Sequence, residues 1–338
     1  MSKFLLSAAA LLLITPIPVA SPAVVRSLAG RAVPPFAKAS LSALPSLTGS
    51  LSRCAPSPAR APSCSASLFA GAAFPPFAVA YRAAAAAMRQ AGGAYANWAD
   101  SSRHFLSFDP TGDGTAAEVV GDLATADRIV VVVPGVDNAL KDFDRGLGSV
   151  ARRAPAVQAR AIWWKLRTTD RDANVAVIAW LGYDPPEGIG LAAVREQRAR
   201  AGAQALSRFV QGVHDRRPSA RVTLVGHSYG AIVVGLAAPH LPYVHDVVAL
   251  GAPGMGAAHA GDLGGARVWS ALAPRDWMRR IPQLRVFDLG HGRRPSDPSF
   301  GALPLPTAGV DGHDYYLTPG SATLDALANV VLGTEAAA

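Results

Sequence analysis

Short apolar runs alternate with stretches of helical periodicity over the C-terminal two thirds of the chain. The apolar runs are RIVVVVPG, NVAVIAWLGY, RVTLVG, HDVVALGAPG, ARVWSALA and LRVFDLG, and each predicts a buried strand. Strands that are apolar at almost every position are typical of a parallel sheet covered on both faces. The pattern therefore predicts an α/β fold with a mostly parallel central sheet.

Three segments between and after these runs have helical patterns. Residues 191–215 carry Leu206, Phe209 and Val213 on one face, so we predict a single helix there. AIVVGLAA, which follows RVTLVG, predicts a tightly packed helix. SATLDALANVVLG predicts a last helix, with Ser321 as its N-cap and Gly333 just past its end.

The first residues have the pattern of a secretory signal peptide. Lys3 precedes an apolar run of suitable length, and Ser21–Ala23 is a small-residue cleavage site. Pro16 and Pro18 interrupt the apolar segment, which is also short for a membrane span. We expect a signal peptide over residues 1–23, a secreted or extracytoplasmic protein, and no stable membrane span in the mature chain. An uncleaved N-terminal anchor is the alternative.

Residues 24–107 are predicted to be an Ala/Pro/Ser-rich linker followed by a helical arm. The arm is the helix-favouring segment 77–106, which Gly92 and Gly93 are expected to break. It could pack on the core or cover a cleft. The α/β domain is predicted to span residues 108–335.

Charge and cysteine content narrow the classes of function. The net charge is +8, but the arginines are scattered and no basic run alternates with aromatic residues, so we predict no nucleic-acid partner. Half of the residues are hydrophobic, which argues against global disorder. If the chain is exported, a local disulfide between Cys54 and Cys64 is expected, and two free thiols are the alternative.

The segment FDPTGDG shares the spacing of Asp109, Thr111 and Asp113 with the start of a calcium-binding loop. Val120 stands at the twelfth position, where that loop has a glutamate, and Pro110 is unsuited to it. The segment therefore predicts a β-turn and no metal site.

The sequence GHSYG, between a predicted strand and a predicted helix, carries the main candidate for chemistry. Gly226 and Gly230 allow an abrupt turn and a close approach of strand and helix, so Ser228 would be lifted out of the core. This arrangement is the nucleophile elbow of G-x-S-x-G. The side chain of His227 should point away from Ser228, and we interpret it as structural or cleft-lining.

Two backbone N–H groups are candidates for stabilising an oxyanion. The N–H of Tyr229 lies at a predicted helix start, where an anion is favoured. The N–H of Val136 follows the predicted strand RIVVVVPG, and Gly135 gives the backbone room. Asp137 and Asn138 are candidates for orienting that loop.

A serine nucleophile needs a base and an acid, which follow it in the order acid, then histidine, in this architecture. Asp276 comes just past a predicted strand, and Asp262, in a glycine-rich loop, is its main competitor. Asp246 begins a strand at the wrong end of the sheet, and Asp288 lies inside one. His313, on a late loop, is favoured as the base.

His291 is the competing base, because it directly follows the last predicted strand. Five apolar or aromatic residues near these positions could line an acyl pocket, but we interpret them as core or loop packing. They are Val136, Tyr229, Trp277, Met278 and Tyr315.

Taken together, the segments resemble the α/β-hydrolase superfamily. The matching segments are FDPTGDG, VVVPGVDN, FDRGLGSVA, VAVIAWLGYDPP, LVGHSYGA, GAPGMG, RDW, LGHG and GHDYYLTPGSATLDALANVV. More narrowly, the chain is similar to a bacterial branch known as a domain of unknown function with a predicted α/β-hydrolase fold. The resemblance implies a Ser-acid-His hydrolase carried by Ser228, Asp276 and His313, with no cofactor. It favours His313 over His291.

The expected activity is cleavage of a carboxylic ester through an acyl-enzyme intermediate, with a small-molecule acyl ester as substrate. Amide, thioester and lactone cleavage stay open at this point. The alternative function is a non-catalytic hydrolase-fold binding protein or an envelope-associated protein with a vestigial triad.

Overall fold

The computed structural model describes residues 74–283 and 290–335. The predicted signal peptide, the linker before residue 74, Cys54 and Cys64 lie outside the described residues and stay predictions. Asp288 and most of the predicted strand LRVFDLG also lie outside them. Among the described residues, no helix is both long and apolar enough to cross a membrane.

The described residues form one eight-stranded sheet in the order β1-β2-β4-β3-β5-β6-β7-β8. Strand β2 runs antiparallel to its neighbours β1 and β4, and every other pairing is parallel. This confirms the prediction of a mostly parallel sheet. The strands are β1 His104–Asp109, β2 Thr115–Gly121, β3 Arg128–Val133, β4 Val175–Leu181, β5 Arg221–His227, β6 Val244–Leu250, β7 Arg267–Ala271 and β8 Leu303–Pro304.

Helices cover both faces of the sheet, as predicted. Buried residues of α5 and α6 share a core cluster with Val131 and Val133 of β3, whereas α3 and α7 share a second cluster with Val130 and Val132. Alternate residues of one strand therefore enter opposite layers. The helices are α1 Phe77–Ala91, α2 Gly93–Ala96, α3 Pro155–Thr169, α4 Leu191–Val194, α5 Gln197–Arg216, α6 Gly230–Ala237 and α7 Ala322–Leu332.

The last helix begins and ends as its sequence predicts. The hydroxyl of Ser321 accepts a hydrogen bond from the N–H of Leu324 at 3.2 Å. Gly333 follows the helix with φ of 72°, a left-handed conformation that glycine adopts without a steric penalty.

The prediction of one helix over residues 191–215 is wrong at Arg195, where the chain is extended between α4 and α5. The hydroxyl of Tyr229 donates to the carbonyl of Arg195 at 3.0 Å and accepts from the N–H of Ala199 at 3.1 Å. These two backbone groups would pair directly in a continuous α-helix. The tyrosine hydroxyl takes the place of that bond, so a tertiary contact ends the periodic segment.

The N-terminal arm packs on the core. Ala84 and Met88 of α1 are buried in one core cluster and Ala80 in the other, and α1 lies against β1. Helix α1 ends at Ala91, next to the break predicted at Gly92 and Gly93, and the end of the predicted helical arm instead forms β1, which begins at His104. A β-bulge between Phe105 and Ser107 interrupts strict alternation, so the local pattern does not indicate a strand there.

If α1 is part of the core, shortening one of its buried side chains should leave a cavity and destabilise the whole domain. Met88 is fully buried, so Met88→Ala is expected to lower the free energy of unfolding by about 2–5 kcal/mol. Urea denaturation measures this loss. Val79 of the same helix is 43% exposed, and Val79→Ala should change stability by less than about 1 kcal/mol. Equal losses for both variants would contradict this packing.

Candidate active site

The candidate residues gather at the carboxyl ends of the parallel strands. The chain passes outward from β3 to β4 and returns to β5 on the other side of β3, so the strand order reverses between β3 and β5. Val133 is paired with Gly226 at this point. The loop after β3 and the turn after β5 are therefore neighbours, at the place where ligands bind in open α/β sheets.

Ser228 lies on the turn between β5 and α6 in a left-handed conformation, with φ of 54°. This conformation costs roughly 1–2 kcal/mol for a residue that is not glycine. The turn is held by hydrogen bonds on both sides. The N–H of Ser228 donates to the carbonyl of Leu250 at 2.9 Å, and its carbonyl accepts from the N–H of Ala231 at 3.0 Å.

The two glycines of the motif allow backbone segments to touch. A Cβ atom on Gly230 would lie 2.3 Å from the carbonyl oxygen of Val133. A Cβ atom on Gly226 would lie 2.5 Å from the Cα of Ala231. Because both clashes involve backbone, no side-chain movement relieves them, and the elbow requires glycine at both positions.

The loop after β3 lies directly against the serine. A Cβ atom on Gly135 would be 2.8 Å from the Cβ of Ser228. The side-chain amide of Asn138 donates to the carbonyls of Gly135 at 3.2 Å and Val136 at 3.1 Å. These bonds fix the backbone that carries the predicted Val136 N–H, so Asn138 has the orienting role considered from the sequence.

Asp137 ties the same loop to the segment after β4. Its backbone is left-handed, with φ of 62°, and its carboxylate accepts from the N–H of Gly188 at 2.5 Å. A cavity of about 510 Å³ opens beside this loop. Its walls are mostly polar and include Asp113, Asp137, Asn138, Lys141, Asp142, Arg145 and Glu187.

His313 is hydrogen-bonded to Asp276, whose side chain is completely buried. The Nδ1 of His313 lies 2.9 and 3.0 Å from the two carboxylate oxygens of Asp276. Asp276 follows β7 and also accepts a bond from the N–H of Met278 at 2.8 Å. The hydroxyl of Tyr316 donates to the same carboxylate at 2.5 Å.

These contacts keep Asp276 ionised although it is buried. Burial acts to raise the pKa of its carboxyl, but the bonds from His313, Tyr316 and the Met278 N–H, together with the electrostatic interaction with His313, lower it below the usual value of 3.8. The pKa of Tyr316 is raised by burial and by its bond to the carboxylate. Tyr316 therefore remains a neutral donor to Asp276.

Gly251, the residue after β6, connects the serine to this pair. Its φ is 56°, and a Cβ atom there would lie 2.8 Å from the Oδ2 of Asp276 and 3.0 Å from the Nδ1 of His313. The preceding residue, Leu250, accepts the bond from the Ser228 N–H. The end of β6 thus borders both the serine turn and the His313–Asp276 pair, so the structure brings the three predicted residues to one edge of the sheet.

The competing residues have other partners. The Nε2 of His291 donates to the carbonyl of Ala193 at 2.7 Å, which directs this ring toward α4. The carboxylate of Asp262 accepts from the N–H of His259 in its own loop. Asp246 is bonded to Arg267 at 2.8 Å within the sheet.

The aromatic side chains near the site differ in exposure. Trp277 is 37% exposed, and its ring centroid lies 4.9 Å from that of His313, at the rim of the site. Met278 and the ring of Tyr229 are buried in the core. Tyr315 stacks beneath the guanidinium of Arg152 at 4.1 Å. Of this set, Trp277 is the side chain that contacts the candidate base.

Sequence reasoning assigns no role to Tyr316 and only a general one to His227. Tyr316 follows His313 by three positions, so its place in GHDYY is the one signal that it lies near the acid. The Nε2 of His227 donates to the backbone carbonyl of His313 at 2.7 Å. Each contact joins residues that are far apart in the chain, and each depends on how the loop around His313 folds. Local sequence patterns therefore do not indicate them.

The family model described as "Alpha/beta hydrolase" matches residues 109–286, which is more than half of the chain. The described sheet, with its serine elbow at the switch point, agrees with that match. The chain belongs to the α/β hydrolase family. The match includes Ser228 and Asp276 and ends before His313.

The curated relatives are uncharacterized proteins of mycobacteria. One from Mycobacterium tuberculosis is 36% identical over 155 residues, which cover 44% of this chain and 56% of the relative. A second from the same species is 28% identical over 269 residues, covering 68% of this chain and 39% of the relative. The chain thus spans about half the length, or less, of the curated relatives it matches.

Among solved structures, the chain is similar to an α/β serine hydrolase without a lid from Xanthomonas campestris. That similarity has a TM-score of 0.37 and 13% identity, and covers 70% of this chain and 94% of the other. A cutinase from Trichoderma reesei in complex with a phosphonate inhibitor has a TM-score of 0.34 and 14% identity, covering 62% and 76% of the two chains.

Adding a methyl group at the elbow should disrupt it. Gly230→Ala places Cβ against the backbone of Val133, so we expect a loss of about 1–3 kcal/mol in the free energy of unfolding, measured by urea denaturation. Among the described residues, a Cβ atom on Gly261 would have no heavy atom within 4 Å beyond its chain neighbours, and Gly261→Ala should change the free energy of unfolding by less than about 0.5 kcal/mol. A stable Gly230→Ala variant would argue against this close approach.

Asp276 should make stability depend on pH. Its pKa is lower in the folded than in the unfolded protein, so its contribution is present above about pH 4 and is lost as pH falls through the folded value. Asp276→Asn removes this contribution. The difference in unfolding free energy between wild type and variant should shrink from about pH 6 to about pH 3, as measured by urea denaturation.

Asp325, whose side chain is 52% exposed, provides the matched Asp→Asn control. The free energy of unfolding of Asp325→Asn should differ only slightly from that of wild type at every pH. A pH-independent effect of Asp276→Asn would contradict the assigned ionisation.

Proposed function

We propose that the protein is a serine hydrolase that cleaves a carboxylic ester through an acyl-enzyme intermediate. The observation that carries the proposal is the His313–Asp276 hydrogen bond, at 2.9 Å, beside the left-handed turn of Ser228 at one edge of the sheet. A nucleophile, a base and a buried acid at the carboxyl ends of parallel strands are the parts that acyl transfer requires.

Proton transfer in this proposal begins at His313. Its Nδ1–H donates to Asp276, so the Nε2 atom holds the lone pair that can accept the Ser228 proton. The Ser228 oxygen attacks the ester carbonyl as that proton leaves. His313 then protonates the departing alcohol, and water hydrolyses the acyl enzyme by the same route in reverse.

Two N–H groups are proposed to stabilise the tetrahedral oxyanion. The N–H of Tyr229 follows the serine at the start of α6, where the helix dipole favours negative charge. The N–H of Val136 follows Gly135, which lies against Ser228, and Asn138 holds both carbonyls of that loop. Removing one such donor typically raises a barrier by about 3–4 kcal/mol.

Asp276 is proposed to hold the imidazole in the required tautomer and to stabilise its charged form. Its three hydrogen-bond donors, including Tyr316, support the ionised state that this role needs. A non-catalytic binding protein is the alternative. Such a protein has no need for a serine strained into a left-handed conformation, which the surrounding backbone maintains at Ser228.

Substitution of the nucleophile or the base should abolish turnover. Ser228→Ala and His313→Ala are each expected to lower kcat/KM for a hydrolysed ester by at least about 10³-fold, because each removes a group that acts in the transition state. A series of chromogenic esters should be used, varied in acyl length and, because of the polar cavity, in the polarity of the alcohol. Amides, thioesters and lactones extend the same series.

His291→Ala is the matched histidine control and should retain wild-type turnover, since its ring faces Ala193. Equal turnover by wild type, Ser228→Ala and His313→Ala would reject the proposal. A fluorophosphonate probe provides a test that needs no known substrate. Labelling of wild type but not of Ser228→Ala supports the hydrolase, and identical absence of labelling in both supports the binding protein.

A further inference from the structure

His227 is a partly buried titratable residue that has no part in the proposed mechanism. It is the last residue of β5 and directly precedes Ser228. Its Nε2 lies 2.7 Å from the backbone carbonyl of His313, and the two ring centroids are 4.7 Å apart. A carbonyl oxygen only accepts hydrogen bonds, so the Nε2 of His227 carries the proton and donates.

We infer that His227 is a positioning residue that sets the distance between the nucleophile and the base by holding the backbone of His313. The inference rests on the proposed function, in which His313 is that base. One end of β5 then carries both the serine turn and the donor that fixes the histidine loop. A single strand end determines where both reacting groups lie.

The residues around His227 favour the neutral imidazole, which is the form that this positioning role needs. Its pKa is lowered to about 4, first by burial and then by the proximity of His313. The carboxylates of Asp314 and Asp276 act in the opposite direction, and the ring of Tyr316 lies 6.1 Å away. His227 is therefore neutral at ordinary pH, and the bond to the carbonyl defines which of its nitrogens is protonated.

Other contacts hold the same loop from outside. Arg275 pairs with Asp311 at 2.9 Å, and both side chains are mostly exposed. Arg153 pairs with Asp314 at 2.6 Å. An exposed ion pair such as Arg275–Asp311 contributes about 0–1 kcal/mol and is screened by salt. The bond from His227 reaches the backbone of His313 itself, whereas the two ion pairs hold neighbouring residues of the loop.

Loss of this bond should affect the chemical step more than substrate binding. An imidazole displaced by about 1 Å can lose up to about 10²-fold in rate, although no contact to the substrate has changed. His227→Leu removes the hydrogen-bond donor and keeps a side chain of similar size at this partly buried position. His227→Gln supplies an amide N–H that can reach the same carbonyl.

The experiment compares wild type, both His227 variants and Asp311→Ala on an ester that wild type hydrolyses. His227→Leu is expected to lower kcat by about 10–100-fold with KM changed less than about twofold, and His227→Gln to recover most of kcat. Asp311→Ala, which removes the exposed contact to the same loop, should keep wild-type kcat. Circular dichroism and thermal unfolding confirm that each variant is folded.

Wild-type kcat in a folded His227→Leu variant would overturn the inference, as would equal losses in the Leu and Gln variants. Crystal structures of the two variants give a readout independent of activity. The separation between Ser228 Oγ and His313 Nε2 should match that of wild type in the Gln variant and be about 1 Å longer in the Leu variant. An unchanged distance in the Leu variant would overturn the inference. Absence of Ser228-dependent turnover in wild type would instead reject the proposed function.

Discussion

The close approach of α6 to β5 at Gly226 and to the end of β3 at Gly230 is the constraint on which the candidate site depends. Because β5 and α6 are in backbone contact, the residues between them must reverse direction within a few bonds. That reversal forces Ser228 into the left-handed region. The strain is balanced by the core that covers both faces of the sheet, where α5 and α6 pack on one side. The candidate nucleophile, of which only 5% is exposed, thus takes its position from the tight packing around it.

Electrostatics at the same edge are organised around one buried carboxylate. An isolated carboxylate as buried as Asp276 would be unstable as an anion. Here donors from three separate points of the chain, His313, Tyr316 and the backbone at Met278, surround it and lower its pKa. The side chain of Tyr316 is itself held by the N–H of Ala273, which ties the carboxylate network to the turn after β7. The imidazole orientation is therefore part of a larger hydrogen-bonded unit.

Most of the sheet could be predicted from the sequence because its central strands are buried on both faces. Such strands are recognisable as continuous apolar runs, and β3, β4, β5, β6 and β7 each coincide with one. The β1–β2 hairpin could not be predicted as strands, since β1 is interrupted by a bulge and TAAEVVG has little apolar character at its start. The break at Arg195 is hidden for a different reason, because the group that causes it, Tyr229, lies in another element.

The site shows the same division between local and tertiary information. Ser228 is recognisable because the glycines that create its turn are its close neighbours in sequence. Asp276 and His313 could be ranked by their order along the chain and their position after strands, and the structure shows them paired. The supporting contacts of Tyr316 and His227 depend on how the loop around His313 folds back over the sheet, which no local pattern encodes.

The bridge that Tyr229 makes to α5 gives one position of the elbow two separate duties. Its main-chain amide is the oxyanion donor proposed above, while its phenol hydroxyl bridges the carbonyl of Arg195 and the N–H of Ala199 at the start of a distant helix. Phenylalanine would fill the same volume but leave a carbonyl and an amide without their shared partner. The choice of amino acid beside the serine is thus governed by helix architecture, so variation at this motif position would report on the β4–α5 connection rather than on substrate preference.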